Sequence, residues 1–315
     1  MFGKNNHLAN KICYRFFVAI VSLFTIHAIT FFVLEAIPGE VYDTDYIKNE
    51  AVLDNIRSKY HLDSPLWQRY LTSLKNTIFM DFGYSFLNGG RSVNDIIAQH
   101  FRVSALYGVI AIICSFITAS ILGSIVSRKQ KRMSAASMVI SITTGIPTFV
   151  IAALLQYCFC VRLGLFPVYS GEGFSGFILP LTIISLPVTM IMLRFAMNSM
   201  RETRNKDYVL QARSFRIQKS LIELLYLFKN SLTGVLTYLG TAVVDVVVGS
   251  FVVETIFNIP GLGRYFISSI TNRDYPVIMG LTMFYSVLII VSTTVFDIII
   301  YYVDYSGRRD IKNEA

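Results

Sequence analysis

Few residues in this chain are placed to do chemistry, and they stand singly. Asp245 lies in the middle of an apolar run, flanked by Val243, Val244, Val246, Val247 and Val248. An ionisable group at that depth costs about 2.5–3.5 kcal/mol on translocon scales, which makes it a functional candidate by default. It could face a translocation path and attract a cationic or amine-bearing substrate. It could equally be satisfied inside a bundle by a Ser or Thr of a neighbouring helix. Thr241 and Gly249, one turn to either side, would share its helix face. Asp297, about two turns inside the end of the last apolar run, suits packing or gating as well as substrate contact. His27 reads as a hydrogen-bonded packing residue, and Arg194 can snorkel to a nearby boundary. Glu35 and Glu254 fall at run ends, where exposure costs little.

Enzyme chemistry needs paired groups, and the apolar runs offer none. No G-x-x-x-x-G-K-[ST] phosphate loop occurs, and no H-E-x-x-H. Gly261-Leu262-Gly263 lacks the third glycine of a dinucleotide site. With four histidines in all, the chain has no metal-ligand set. The reading is of a chain that is not an enzyme and carries no metal or cofactor.

A second group of candidates lies in the polar segment Arg201–Asn230, between two long apolar runs. It holds seven Lys/Arg against three acids, Glu202, Asp207 and Glu223. From Lys206 on it patterns as helix, with Tyr208, Leu210, Ala212 and Phe215 in one segment and Ile217, Leu221, Leu224 and Leu225 in the next. A folded basic helix pair beside membrane spans suggests docking to another protein. The plainer alternative is charge that only fixes topology.

The elements that must position these residues follow from composition. The chain has 315 residues, 54% hydrophobic and 15% charged, where a soluble domain carries about a quarter charged. Apolar runs of about 20 residues, enough to cross a hydrocarbon core, recur along it. Spans are expected at about 14–36, 103–126, 135–161, 177–199, 231–257 and 277–303. The chain is therefore expected to be an all-α integral membrane protein with six transmembrane helices, in one domain over 1–315. Lys and Arg gather in the N-terminal tail, at 128–132, in 201–230 and in the C-terminal tail, which places both termini in the cytoplasm. The net charge of +8 reflects those loops, and no basic groove interleaved with aromatics suggests nucleic acid. Cys13, Cys114, Cys158 and Cys160 read as small buried hydrophobes rather than a disulfide or zinc framework. The N-terminal run is too long for a signal peptide and no small-x-small site follows it, so an uncleaved first span is expected.

The long segment 37–102 mixes seven basic residues with eight acids and reads as a helical extracytoplasmic insertion. Ser64-Pro65 signals one helix start, followed by an apolar face of Leu66, Tyr70, Leu71 and Leu74. Ser92, with Asp95 three residues on, signals a second short helix through Arg102. Pro147 and Pro187 interrupt the third and fourth spans, which is tolerated where a cavity or neighbour satisfies the freed backbone.

Several stretches resemble one family, the oligopeptide/dipeptide/nickel importer permeases of ABC transporters. Val253–Arg264 (VETIFNIPGLGR) and Arg273-Asp274-Tyr275-Pro276-Val277 are similar to its last outer loop. Ile37-Pro38-Gly39 resembles its "LPGD" turn, and Leu62-Asp63-Ser64-Pro65-Leu66 with Gln68-Arg69-Tyr70-Leu71 resembles "LDxPLxxQYL". Asp81-Phe82-Gly83-Tyr84-Ser85 resembles "DLGxS", and Ile146-Pro147-Thr148-Phe149 and Leu163–Pro167 also fit. Asp207-Tyr208-Val209-x-x-Ala212-Arg213 matches "DYVxxAR". The resemblance covers nearly the whole chain in order and points to the first of two permease subunits.

What it implies is a membrane lipid-embedded subunit working with a homologous second permease, two ATP-binding subunits and an extracytoplasmic solute-binding protein. ATP hydrolysis would belong to the partners. The 201–230 segment would be the cytoplasmic coupling helix pair, docking an ATPase through Asp207, Tyr208, Ala212, Arg213, Phe215 and Arg216. Short peptides would move by alternating access past Asp245, Thr241 and Gly249. Nickel or a metal chelate is the alternative cargo, and an ATP-independent channel a remote alternative. Four places depart from the family pattern, one of them Asp245, where an apolar residue is expected and an acid would suit the metal-carrying branch. Arg216 replaces the glycine of the turn between the two short helices, Gly234 replaces a proline, and Asp304-Tyr305-Ser306 replaces "DPR". A non-glycine residue in a left-handed turn is disfavoured by roughly 1 kcal/mol, so the turn is expected to be strained or altered.

Overall fold

The computed structural model describes residues 2–37, 64–86, 90–169 and 173–313. Pro38-Gly39 and Leu62-Asp63, which carry part of the resemblance, lie outside these residues, as does much of the insertion. The described chain forms α1 (Phe2–Ala36), α2 (Leu66–Ile78), α3 (Val93–Val126), α4 (Gln130–Gly145) and α5 (Thr148–Gln156), which ends in a π-helical turn at Tyr157–Arg162. Next come α6 (Ser175–Arg204), α7 (Asp207–Ser214) and α8 (Lys219–Ile222), whose π-helical turn Glu223–Phe228 leads into α9 (Lys229–Ile256). The last helices are α10 (Leu262–Thr271) and α11 (Tyr275–Asn313).

Among the described residues, five helices are long and apolar enough to cross a membrane: Cys13–Ala36 of α1, α3, α6, Gly234–Ile256 of α9 and Tyr275–Ile300 of α11. The expected third span is different. Over 135–161 the chain makes two helices bent by 92°. Pro147 has no N–H to donate, and its ring pushes the preceding residue out of the helical region. Ile146 is accordingly extended, at φ −91° and ψ 127°. Pro180 and Pro187, by contrast, stay inside the continuous helix α6.

The chain packs as two units, residues 1–102 with 265–291 and residues 103–264 with 292–315. In the second, α6 and α9 form the core through Ile183, Val188, Met192 and Ala196 against Val235, Tyr238, Ala242 and Val246. Small residues let the backbones approach, as is usual between membrane helices. A Cβ on Gly234, the position where a proline is expected, would lie 2.7 Å from Ser199 Cβ. One on Gly123 would lie 2.7 Å from Ala196 Cβ. Ser115 joins α3 to α6, its Oγ donating to the Ser185 carbonyl at 3.0 Å and accepting from Thr189 Oγ1 at 3.0 Å.

In the first unit, Ser85 and Phe86 are fastened to the start of α11. Ser85 Oγ donates to Asp274 Oδ2 at 2.5 Å, and Phe86 N–H donates to Oδ1 at 3.2 Å. The backbone folds back on itself there, with Val93 N–H on the Gly83 carbonyl and Ser85 N–H on that of Arg91. Gly280 is needed beneath it, because a Cβ would meet Val93 Cγ1 at 2.6 Å. The short helix expected to end at Arg102 does not end. Ser92 Oγ accepts from Asn94 N–H, and the helix then runs unbroken to Val126 because no Pro interrupts it and the isolated glycines Gly108 and Gly123 are tolerated.

Among the described residues, four non-glycine residues have positive φ: Met80, Arg216, Asn258 and Arg273. Each ends a helix in the same way. The amide after the left-handed residue reaches the carbonyl five residues back, as in Asp81→Asn76, Ile217→Ala212, Ile259→Glu254 and Asp274→Ser269. This is the Schellman closure, which satisfies carbonyls orphaned at a helix C-terminus and is usually built on glycine.

Candidate functional site

Within the 201–230 segment, Asp207–Ile222 folds as the paired helices α7 and α8. Their closed face has its own small core of Val209, Ala212 and Ile222, with Ile217 and Tyr226 packed against it. The left-handed residue between them is Arg216, at φ 56°. The turn therefore keeps the glycine geometry with an arginine in it, a strain of about 1 kcal/mol that the Arg216→Arg213 and Ile217→Ala212 amide bonds hold in place. Asp207 begins α7, where a negative charge suits the helix dipole.

Of the six candidate docking residues, Asp207, Tyr208, Arg213, Phe215 and Arg216 are exposed. Ala212 is not. It faces inward as part of the pair's core. Leu210, Leu221 and Leu225 are also on the outside, so the open face mixes apolar side chains with arginines. On another side the pair is tied to the turn between α3 and α4. Arg128 pairs with Glu223 at 2.9 Å, and Arg204 Nη1 donates to the Arg128 carbonyl at 3.4 Å.

Lys219–Ile256 keeps helical backbone throughout, so the helix that closes this pair is continuous with the one that carries Asp245. On α9, Thr241, Asp245 and Gly249 share one face. Thr241 is exposed and Asp245 half-buried, while a Cβ on Gly249 would meet open space. The structure thus brings the three together on a side that the described residues leave partly open. The partner of the acid is not the Ser or Thr expected from a neighbour. Tyr238, two turns earlier on the same helix, donates its hydroxyl to Asp245 Oδ2. The Tyr238 ring stacks on Phe195 of α6 at 5.4 Å, which fixes the hydroxyl's position.

Glu254 corrects the expectation of cheap exposure, because it is fully buried. Its Oε2 accepts Gly263 N–H at 2.7 Å and Arg264 N–H at 3.3 Å, two of the unpaired amides at the start of α10. Ser104 and Ser250 hydroxyls also face the carboxylate, and Ser104 Oγ accepts Leu262 N–H at 2.9 Å. No room exists for side chains at the two nearby glycines. A Cβ on Gly261 would fall on the carboxylate, and one on Gly263 would lie 2.6 Å from Phe251 Cα. The Gly261-x-Gly263 pair is thus the cradle of a helix-capping carboxylate.

His27 is buried with Ser73 Oγ 3.2 Å from its Nε2, and Glu35 pairs with Arg69 at 2.5 Å. Among the described residues, no three His, Cys, Asp or Glu side chains gather as a metal site.

Comparison with known proteins adds an independent line. Residues 111–308 match the family described as binding-protein-dependent transport system inner membrane component. The chain is 36% identical over 293 residues to the dipeptide transport system permease protein DppB of Bacillus subtilis, covering 92% of this chain and 95% of that protein. It is 34% identical to the oligopeptide transport system permease protein OppB of Escherichia coli K12, over 84% of this chain and 88% of that one. A solved structure described as an amino acid ABC transporter with histidines shares the fold. It has a TM-score of 0.51 at 14% identity, over 66% of this chain and 94% of that chain.

Proposed function

This chain belongs to the inner-membrane-component family of binding-protein-dependent transport systems, and we propose that it is one of two homologous membrane subunits of an ATP-driven importer of short peptides. Peptide is the favoured cargo because the relatives are named for dipeptide and oligopeptide transport. The open face of α9, made of Val, Thr and Gly around one acid that Tyr238 already satisfies, suits a wide and mostly neutral path. Nickel is less favoured, since none of these relatives is named for a metal and a hydrated ion would want more than one acid.

The partners are a second permease, two ATP-binding subunits and a solute-binding protein outside. With the bent α4–α5 pair as one crossing, both termini and the α7–α8 pair lie in the cytoplasm of a multi-pass membrane protein. The observation that carries the mechanism is the unbroken helix from Lys219 to Ile256. A push on α7 and α8 from an ATPase is delivered to α9 as rigid-body motion, and α9 carries Thr241, Asp245 and Gly249. The π-helical turn at Glu223–Phe228 is the one place along that lever where the register of the helix changes, a feature frequent at functional sites.

The test is uptake after deletion of the gene, with radiolabelled short peptides and nickel offered side by side. Loss of peptide uptake with nickel uptake intact is expected. Loss of nickel uptake alone would overturn the peptide reading and return Asp245 to the role of a ligand on the path.

A further inference from the structure

Helix α2 is amphipathic the wrong way round for a helix in water. Trp67, Leu71 and Ile78, at i, i+4 and i+11, form an outward stripe that is 65%, 53% and 63% exposed. Phe79 and Met80 extend it past the end of the helix and are also exposed. No residue of α2 is buried. The opposite, partly buried face is the polar one. Arg69, Thr72, Ser73 and Thr77 line with Glu35 a cavity of about 190 Å³, while Gln68, Lys75 and Asn76 are exposed, the first two along one flank of the stripe. A surface helix in water puts its apolar stripe on the core and its polar side chains outside. Here the arrangement is reversed.

The contacts to α1 set the level at which this occurs. Arg69 pairs with Glu35 near the end of α1, and Ser73 meets His27. Tyr70 fills the space between, stacked on Phe32 and edge-on to Phe31. Glu35 and His27 are eight residues apart, or about 12 Å of helix. Thus α2 runs back along the last turns of the apolar span Cys13–Ala36 rather than standing away from it. Next to it, α1 exposes Ile29, Phe32 and Val33. Both helices thus turn exposed apolar side chains outward over the same stretch of the span.

We propose that α2 is embedded in the lipid, its stripe of Trp67, Leu71 and Ile78 against acyl chains and its polar face held dry by the Glu35–Arg69 and His27–Ser73 contacts. The segment is then a membrane-seated hairpin at the root of the 37–102 insertion, and Trp67, an aromatic at the start of the helix, sits at the interfacial level where such rings are favoured. That the leaflet is the outer one rests on the topology proposed above. The contact with lipid does not.

Trp67 is the only tryptophan of the chain, which allows a direct test. The complete transporter is reconstituted into phosphatidylcholine vesicles whose acyl chains are brominated near the headgroup or near the chain end. The fluorescence of Trp67 is taken as the difference between the parent and Trp67→Phe. The expected result is loss of most of that signal to brominated lipid, more with shallow than with deep bromines, and little loss to aqueous iodide. Quenching by iodide instead would put the stripe in water and overturn the proposal. Quenching by neither would show protein on the stripe, as from the second permease subunit, and would also overturn it. Leu71→Trp in the Trp67→Phe background provides a second probe on the same stripe, with the same expected pattern. Uptake of peptide plays no part in the readout, so failure of the functional reading and failure of this one are distinguishable.

Discussion

Replacing Glu254 tests whether a buried carboxylate holds the outer end of α9 to the start of α10. In Glu254→Ala, Gly263 N–H loses an acceptor at 2.7 Å and Arg264 N–H a weaker one at 3.3 Å. A buried donor left without its acceptor costs about 1–3 kcal/mol, and the more distant amide adds less, so the loss is about 2–4 kcal/mol. Glu254→Gln keeps one oxygen for these amides and removes the charge. Charge-assisted bonds are roughly twice as strong as neutral ones, so Gln costs about 1 kcal/mol. For a chain of this order each kcal/mol moves a melting midpoint by about 2–4 °C, which places the Ala variant roughly 4–16 °C below the parent with Gln between. The assay is a heating series on the purified transporter, followed by size exclusion. A second arm uses Gly261→Ala, whose Cβ would fall on the same carboxylate. Its cost should shrink when Glu254 is already Ala, because neighbours that share one contact are not additive. Equal midpoints for parent, Gln and Ala would refute the capping role. A full cost for Gly261→Ala in both backgrounds would show that the glycine answers to Ser104 rather than to the acid.

Two further outcomes follow from the geometry. Arg216→Gly relieves about 1 kcal/mol of left-handed strain and loses about the same to the freer unfolded chain, so coupled ATPase activity and uptake stay near the parent's. Arg216→Val, a β-branched residue at φ 56°, lowers both, and equal behaviour of Gly and Val would show that the turn does not hold the α7–α8 pair. At the other site, Asp245→Asn still accepts the Tyr238 hydroxyl, and uptake of neutral peptides survives. Asp245→Leu leaves that half-buried hydroxyl without its partner at a cost of about 1–3 kcal/mol, and the amount of assembled permease in membranes falls. A loss of uptake in Asp245→Asn with assembly intact would make the charge itself the functional element.

What the sequence made legible was mostly length and period. Runs of apolar residues place the spans, and proline marks the break at 146–147. The 92° turn there was not legible, since a proline frees the backbone without saying which neighbour fixes its direction. Asp245 was conspicuous because a lone acid among valines has no local explanation. Its partner Tyr238 was not, although the spacing of seven residues is two helical turns and puts both on one face. Glu254 was misread for a different reason. Its partners are backbone amides nine and ten residues on, and backbone donors leave no signature in side-chain types. The usable sign was Gly261-x-Gly263, which fails as a nucleotide loop and succeeds as the space a carboxylate occupies. Ser85 and Asp274 are likewise recognisable only as members of two separate motifs, 189 residues apart.

Helix α2 shows a limit of another kind. The sequence offers Leu66, Tyr70, Leu71 and Leu74 as an apolar face, of which Leu66 and Leu71 share the exposed side with Trp67 and Ile78, and period alone gives two faces and no direction. The usual assignment of the apolar face to the core rests on the assumption that what lies outside is water. For a segment between two membrane spans that assumption is itself the unknown. The polar residues carry the missing information. Arg69, Ser73 and Tyr70 each have a specific partner on α1, at Glu35, His27 and Phe31–Phe32, whereas Leu66, Trp67, Leu71 and Ile78 are exposed. A charge or hydroxyl is costly to bury unless paired, so a helix whose polar side chains are the paired ones has turned its cheap face to the outside. In such a chain the direction of a helix is read from which of its faces is satisfied, and hydrophobicity then reports the solvent.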